Sequence, residues 1–205
     1  MIDYSWKILG YPVSILDTDE TVAKALFDLH VWAVINLTKA FTPLLKTVHG
    51  TVVNISSVAS KVNMPFMGIY NASKAALDSI SDTMRLELGA LGISTVIVTA
   101  GGVQTKIYDN TERFNIPEGS QYFSNKKEIE AIRSKPPPTS MKASVFAKDV
   151  ANKVMSKNKP ARIWAGDQAG FAWFVITFFP VSFSDWMVLR VTGLAPYLSY
   201  QGNQK

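Results

Sequence analysis

The sequence predicts an α/β domain built on a parallel sheet, and three features carry that expectation. Two β-branched runs, Thr51–Ser56 and Ser94–Thr99, are apolar enough for strands buried on both faces. Between them residues 70–91 keep helical spacing and close on Gly92, so strand, helix and strand make one βαβ unit. Composition agrees. The 205 residues are 47% hydrophobic and 18% charged, which suits one domain with a real core and argues against a disordered chain.

The elements follow in order. Residues 1–16 show no period, and Pro12 opposes a helix there. Asp17-Thr18-Asp19-Glu20 reads as a helix N-cap, after which Val22, Leu26, Leu29, Ala33 and Leu37 recur at helical spacing to about Leu45. Pro43 is expected to kink the last turns. The first strand is followed by a loop, Lys61–Gly68, and then by the helix and second strand just described, which stops at Gly101-Gly102. Lys106–Ser140 is polar and broken by Pro117 and Pro136-Pro137-Pro138, so it is expected to be a mobile loop or lid. Ser144–Lys157 reads as a helix and Ala161–Gly166 as a short last strand.

Gln168–Ser184 has no charged residue and carries Phe171, Trp173, Phe174, Phe178, Phe179 and Phe183. A membrane span needs about 20 such residues, and Pro180 interrupts this run, so an apolar helix that is buried or interfacial is expected instead. Two readings stand for it: packing over a substrate site, or contact with a membrane surface. With no repeat and no linker, residues 1–205 read as one domain, with the loop at 106–140 and an apolar C-terminal segment at 168–200.

Several function classes drop out. The absence of cysteine excludes disulfides and thiolate metal sites, and two histidines without H-E-x-x-H spacing predict no metal. The net charge of +5 comes without any nucleic-acid reader motif, so no nucleic-acid partner is expected. Lys142, Lys148, Lys153, Lys157, Lys159 and Arg162 face only Asp149, a pattern of a solvated helix face or of contact with an anionic surface. The first residues lack a signal peptide's basic start and apolar core, so an intracellular, cytoplasmic setting is expected, with peripheral lipid contact as the variant.

The chemistry concentrates in Thr51–Ala76. Tyr70 and Lys74 stand four apart on a helix and share a face. A phenol has a pKa of about 10, and a fixed ammonium nearby favours its anion and draws it towards the working range. Ser57 lies 13 residues earlier, at the end of the strand, and can return to the same place.

With the frame N-I-S-S-x-A at Asn54–Ala59, that spacing of 13, and Y-x-A-S-K-A-A at Tyr70–Ala76, the chain resembles the classical short-chain dehydrogenase/reductase family. Ala100-Gly101-Gly102-Val103-Gln104-Thr105 is similar to the family's P-G-x-V-x-T turn, with alanine for proline. The turn and the aromatic C-terminal segment look most like the 1-acyldihydroxyacetone-phosphate reductase branch, whose relatives modify apolar secondary metabolites.

The resemblance implies a Rossmann-like doubly wound sheet and an NADPH-dependent oxidoreductase, NADH being possible, acting on an apolar or lipid-like ketone or alcohol. It implies Tyr70 as general acid or base, Lys74 as its support and ribose holder, and Ser57 as hydrogen-bond donor to the carbonyl, with Ser56 as the neighbour that could be confused with it. Val103 and Thr105 map to the nicotinamide contact, and the helices at 19–45 and 70–91 to a homo-oligomer contact.

Two departures stand out. His30, in Phe27-Asp28-Leu29-His30-Val31-Trp32-Ala33, occupies the position of the family's relay asparagine; a relay role and a plain core role both fit an imidazole. Before Thr51 there are only Gly10 and Gly50, so the G-x-x-x-G-x-G turn that cradles the cofactor phosphates has no counterpart. The expected fold is thus the C-terminal part of the doubly wound sheet without its first βαβ units, on the order of 60–90 residues. Thr51–Ser56 is then expected to have an open edge. The competing expectation is a catalytically inactive remnant acting as an interaction protein.

Overall fold

The computed structural model of the protein describes residues 10–105, 114–134 and 140–198. Strands β1 (Thr51–Ser57), β2 (Ser94–Ala100) and β5 (Arg162–Ala165) form a parallel sheet in the order β1-β2-β5. A two-stranded parallel pair, β3 (Val103–Gln104) with β4 (Met141–Lys142), stands beside it. Ser57 is opposite Ala100, and Ala100 opposite Ala165, so all three main strands end level at their C-terminal ends. That is the end at which open parallel sheets receive ligands.

Strand β2 lies between two neighbours and is buried along Thr95–Thr99. Strand β1 has one. Among the described residues its outer edge carries no strand, as expected, and Ile55 is 47% exposed there. The first helical stretch runs through α1 (Glu20–Phe27), a π turn (Asp28–Trp32) and α2 (Ala33–Thr47). Asp19 caps it, its carboxylate accepting from the amides of Thr21 and Val22. Helix α2 continues through Pro43 to Thr47.

Helix α3 (Gly68–Gly89) crosses back over β1 and β2. Its end is a Schellman-like turn: Ile93 N–H donates to Leu88 O, and Gly92 takes φ +76°. A side chain at Gly92 would also meet the His49 ring. The helix after β4, here α5 (Ala143–Val154), lays Phe146, Val150 and Val154 on Val96, Val98, Ile163 and Ala165.

The span 106–140, expected as loop, contains a helix in its described part. Helix α4 (Lys126–Arg133) points Ile129 into a second core with Phe66, Phe114, Ile116 and Leu194. Ile116 is tied to this helix, its N–H donating to Glu130 Oε1 and its carbonyl accepting from Lys126 Nζ. The prolines at 136–138 and the start of the span lie outside the described residues.

The apolar segment is two helices, α6 (Ala169–Phe178) and α7 (Val181–Thr192), with Pro180 at the break, followed by α8 (Ala195–Leu198). Among the described residues no helix is long and apolar enough to cross a membrane. The rings of Trp173, Phe178, Phe174, Phe179, Phe183 and Trp186 touch in sequence, with centroids 4.5–5.9 Å apart.

Candidate active site

Strand alternation separates the two serines. Ser56 and Ser57 point to opposite faces of β1. Ser56 is buried, and its hydroxyl faces the Lys74 carbonyl at 3.5 Å. Ser57 is half-buried at the strand's end and caps a 3₁₀ turn, Val58–Ser60, with its Oγ accepting from Ala59 N–H at 3.2 Å. An Oγ that accepts keeps its own hydrogen for a donor role.

Tyr70 is the third residue of α3 and is half-buried. Lys74, one turn on, holds its ammonium 5.9 Å from the centre of the Tyr70 ring. Lys74 Nζ donates to Ile55 O at 3.2 Å, which fixes the long side chain against β1 and leaves two N–H donors. Burial draws Lys74 down from the usual lysine value to about 8, against the opposing pull of the Asp78 carboxylate. It is still mostly an ammonium at pH 7, the form that favours a nearby phenolate.

His30 is buried at the centre of the π turn, where Ala33 N–H reaches back five residues to Asp28 O. Its ring meets Tyr70 edge-on at 5.7 Å, and Nδ1 is 2.9 Å from Ser73 Oγ. The Ser73 hydroxyl donates to Tyr70 O at 2.8 Å, so Nδ1 must carry the hydrogen and Nε2 is the bare nitrogen. Burial takes this imidazole down to about 3, with repulsion from Lys74 added, so it is neutral at pH 7. His30 therefore braces the first turn of α3 from beneath.

Val103 sits in β3, half-buried, and Thr105 follows it exposed. Their turn is fixed by a close backbone crossing. Gly101 N–H donates to Ala165 O, and Gly102 and Asp167 exchange amide bonds at 2.9 Å. A Cβ on Gly101 would stand 2.0 Å from Asp167 O, so only glycine fits. Because Ser57 is opposite Ala100, this turn leaves the sheet beside the serine.

A groove of about 580 Å³ runs along the open edge of β1, lined by residues that include His30, Thr38, Phe41, Ile55 and Lys74. Sequence reasoning missed one group beside it. Tyr70 and Lys74 begin a stripe at intervals of four that continues to Asp78 and Asp82, and both aspartates pair with Arg162 of β5. The continued spacing was the available signal. Among the described residues no cluster of His, Asp or Glu could hold a metal.

The donor set fits the ribose and nicotinamide end of a dinucleotide: Lys74 with its two remaining N–H donors, Tyr70, and the Val103–Thr105 turn at the same sheet end. For the phosphates, residues 10–50 offer no glycine-rich turn between strand and helix.

The sequence profile of short chain dehydrogenases matches residues 10–115. The short-chain dehydrogenase ptmH of Penicillium ochrochloron is 33% identical over 187 residues, 91% of this chain and 68% of that protein. The NADPH-dependent 1-acyldihydroxyacetone phosphate reductase of Saccharomyces cerevisiae is 31% identical over 170 residues, 80% of this chain and 56% of that protein. A crystal structure of a short-chain dehydrogenase from Streptomyces avermitilis superposes with a TM-score of 0.66 at 22% identity, over 93% of this chain and 67% of the other. One from Burkholderia cenocepacia, in complex with NADP, gives 0.60 at 20% identity, over 94% and 65%. The chain thus spans about two thirds or less of the length of these relatives. With this sheet, this helix and this profile, the chain belongs to the short-chain dehydrogenase family.

Proposed function

We propose that the protein reduces an apolar ketone with NADPH, or oxidises the matching secondary alcohol. The observation that carries this is the Lys74 ammonium beside the Tyr70 ring, at the sheet end where Ser57 and the Val103–Thr105 turn emerge. Tyr70 gives its phenolic proton to the substrate oxygen in reduction and takes it back in oxidation. Lys74 favours the phenolate left behind, and Ser57 donates a hydrogen bond to the same oxygen as negative charge develops. Lys74, Tyr70, Val103 and Thr105 would hold the nicotinamide end; when bound, the reduced nicotinamide supplies hydride.

The apolar substrate class rests on the aromatic surface of α6 and α7 and on the reductase and fungal dehydrogenases among the relatives. The described part of 106–140, packed around Phe66 four residues before Tyr70, takes the role of a lid. The same aromatic surface, with Phe178 63% and Trp186 52% exposed, supports peripheral contact with an intracellular lipid surface. The helices at 19–45 and 70–91 serve as the contact between subunits.

The test is NADPH oxidation with a panel of long-chain and cyclic ketones, NADH run in parallel. Turnover that Tyr70→Phe leaves intact would refute the role of Tyr70, and turnover with NADH alone would refute the cofactor choice. A second reading, an inactive chain that acts by binding a partner, is favoured by the open edge of β1. Micromolar binding of NADPH by this chain would dismiss it.

A further inference from the structure

The least explained group beside the site is a buried carboxylate. Asp78 is 1% exposed and lies one turn beyond Lys74 on α3. Its Oδ2 receives three donors: Arg162 Nη1 at 2.8 Å, Ser60 Oγ at 2.9 Å and Lys61 Nζ at 3.3 Å. Its Oδ1 is buried and has no hydrogen-bond partner among the described residues. Arg162 extends the junction, donating to Thr99 Oγ1 and to Asp82 Oδ2, both at 3.0 Å.

The partners come from three places. Ser60 and Lys61 belong to the turn that Ser57 caps, and Ser60 also donates to Ser57 O at 2.7 Å. Arg162 and Thr99 belong to the sheet. Asp78 belongs to the helix that carries Tyr70 and Lys74. The carboxylate is the point where the three meet, and a salt bridge at this depth needs a structural or electrostatic reason to outweigh its desolvation.

We infer that Asp78, held by Arg162, is a positioning residue: it locks the Ser57 turn to the Tyr70–Lys74 helix and provides the counter-charge to Lys74. The inference rests on the proposed oxidoreductase reading for its meaning, but not for its test. The charged and titratable groups around Lys74 are few. The first helical stretch contributes neutral His30; α3 contributes Tyr70, Asp78 and, further along, Asp82; the turn contributes Lys61 and β5 contributes Arg162. Strand β1 presents only the Ile55 carbonyl to the ammonium. Asp78 is the nearest anion on that helix stripe. Removing its charge must make the Lys74 ammonium easier to deprotonate, and removing a neighbouring cation must do the reverse.

The experiment follows the Lys74 side chain by carbon NMR in the full chain labelled at lysine Cε, assigned with Lys74→Arg, between pH 6 and 11. Two variants are read against the wild type. Asp78→Asn is expected to lower the Lys74 midpoint by about one pH unit, a tenfold shift in the deprotonation equilibrium. Lys61→Gln, whose side chain is 39% exposed and whose loss leaves the core intact, is expected to raise it by a smaller amount. Opposite signs are what a counter-charge gives and a merely structural role does not. In turnover, Asp78→Asn is expected to lose about tenfold in kcat with KM little changed, as misplacement of acid and donor predicts. Midpoints unmoved in both variants, or moved in the same direction, would overturn the inference. If Asp78→Asn does not fold, Lys61→Gln decides alone, and a midpoint that fails to rise is the negative result. Wild-type protein without turnover, but with shifts of both signs, would leave the positioning role standing and remove the proposed function.

Discussion

Helices α2 and α3 flank the same sheet with similar apolar periodicity and fare quite differently. Helix α3 buries Ser73, Leu77, Asp78 and Ser81. Helix α2 buries only Thr38 and leaves Leu37, Phe41 and Leu44 between 54% and 66% exposed. The cause lies beneath them. Helix α3 spans β1 and β2, so its polar residues find partners in the sheet, such as Asn54 to Ser81 at 2.8 Å. Helix α2 rests on the free edge of β1 and, among the described residues, has no second strand to cover. A helix is buried by the strands under it rather than by its own pattern. The candidate site stands on the border, with Tyr70 and Lys74 on the buried helix and the Lys74 side chain lining the groove of the open side.

The contrast can be broken in order of effect. On the closed side Tyr70→Phe removes the hydroxyl proposed to move the proton, and kcat is expected to fall by about 10²–10⁴ with the thermal transition unchanged. An equal fall in stability would mean that the ring packs rather than reacts. Next in size, Leu77→Ala empties a buried site on α3 and should cost about 2–5 kcal/mol, while Leu37→Ala on α2 should cost less than about 0.5 kcal/mol. Urea titrations giving equal losses would erase the distinction between the two helices.

The third expectation concerns His30, on the border itself. Its folded pKa of about 3 lies below the ordinary histidine value of 6.5, so the unfolded chain takes up the proton first. Stability from this group is fully present above pH 6.5 and declines as pH falls, by about 2–3 kcal/mol at pH 4.5, the full loss being reached below about pH 3. His30→Asn should flatten that slope in melting curves recorded from pH 7 to 4.5, and an unchanged slope would place the titration elsewhere. Lys74 acts in the same direction at higher pH, since its depressed pKa makes the folded state relatively more stable as pH rises from about 8 towards the usual lysine value. The smallest effect belongs to the open side: Phe41→Ser should leave the melting temperature within a few degrees and, at the subunit contact proposed above, weaken self-association in sedimentation runs.

Much of this was legible in the sequence because it is local. The strands follow from β-branched runs, and Tyr70 with Lys74 follows from a spacing of four. What was not legible depends on distant partners. Helix α4 offers only Ile129 and Ile132 among charged residues, too weak a pattern until Phe66 and Leu194 close over it. Asp78 and Arg162 are 84 residues apart, so nothing local announces the pair. The exposure of α2 is equally silent, since its stripe reads like that of any buried helix.

The π turn has a geometric consequence of its own. Each residue of a regular helix advances the azimuth by about 100°. Leu26 and Thr38, twelve residues apart and both buried, would then stand about 120° out of phase. The wide turn absorbs one residue, cutting the mismatch to about 20° and bringing Leu26 and Thr38 onto one face. His30 and Val31, the buried residues of that turn, lie where the face is reset, and there the His30 ring meets Tyr70.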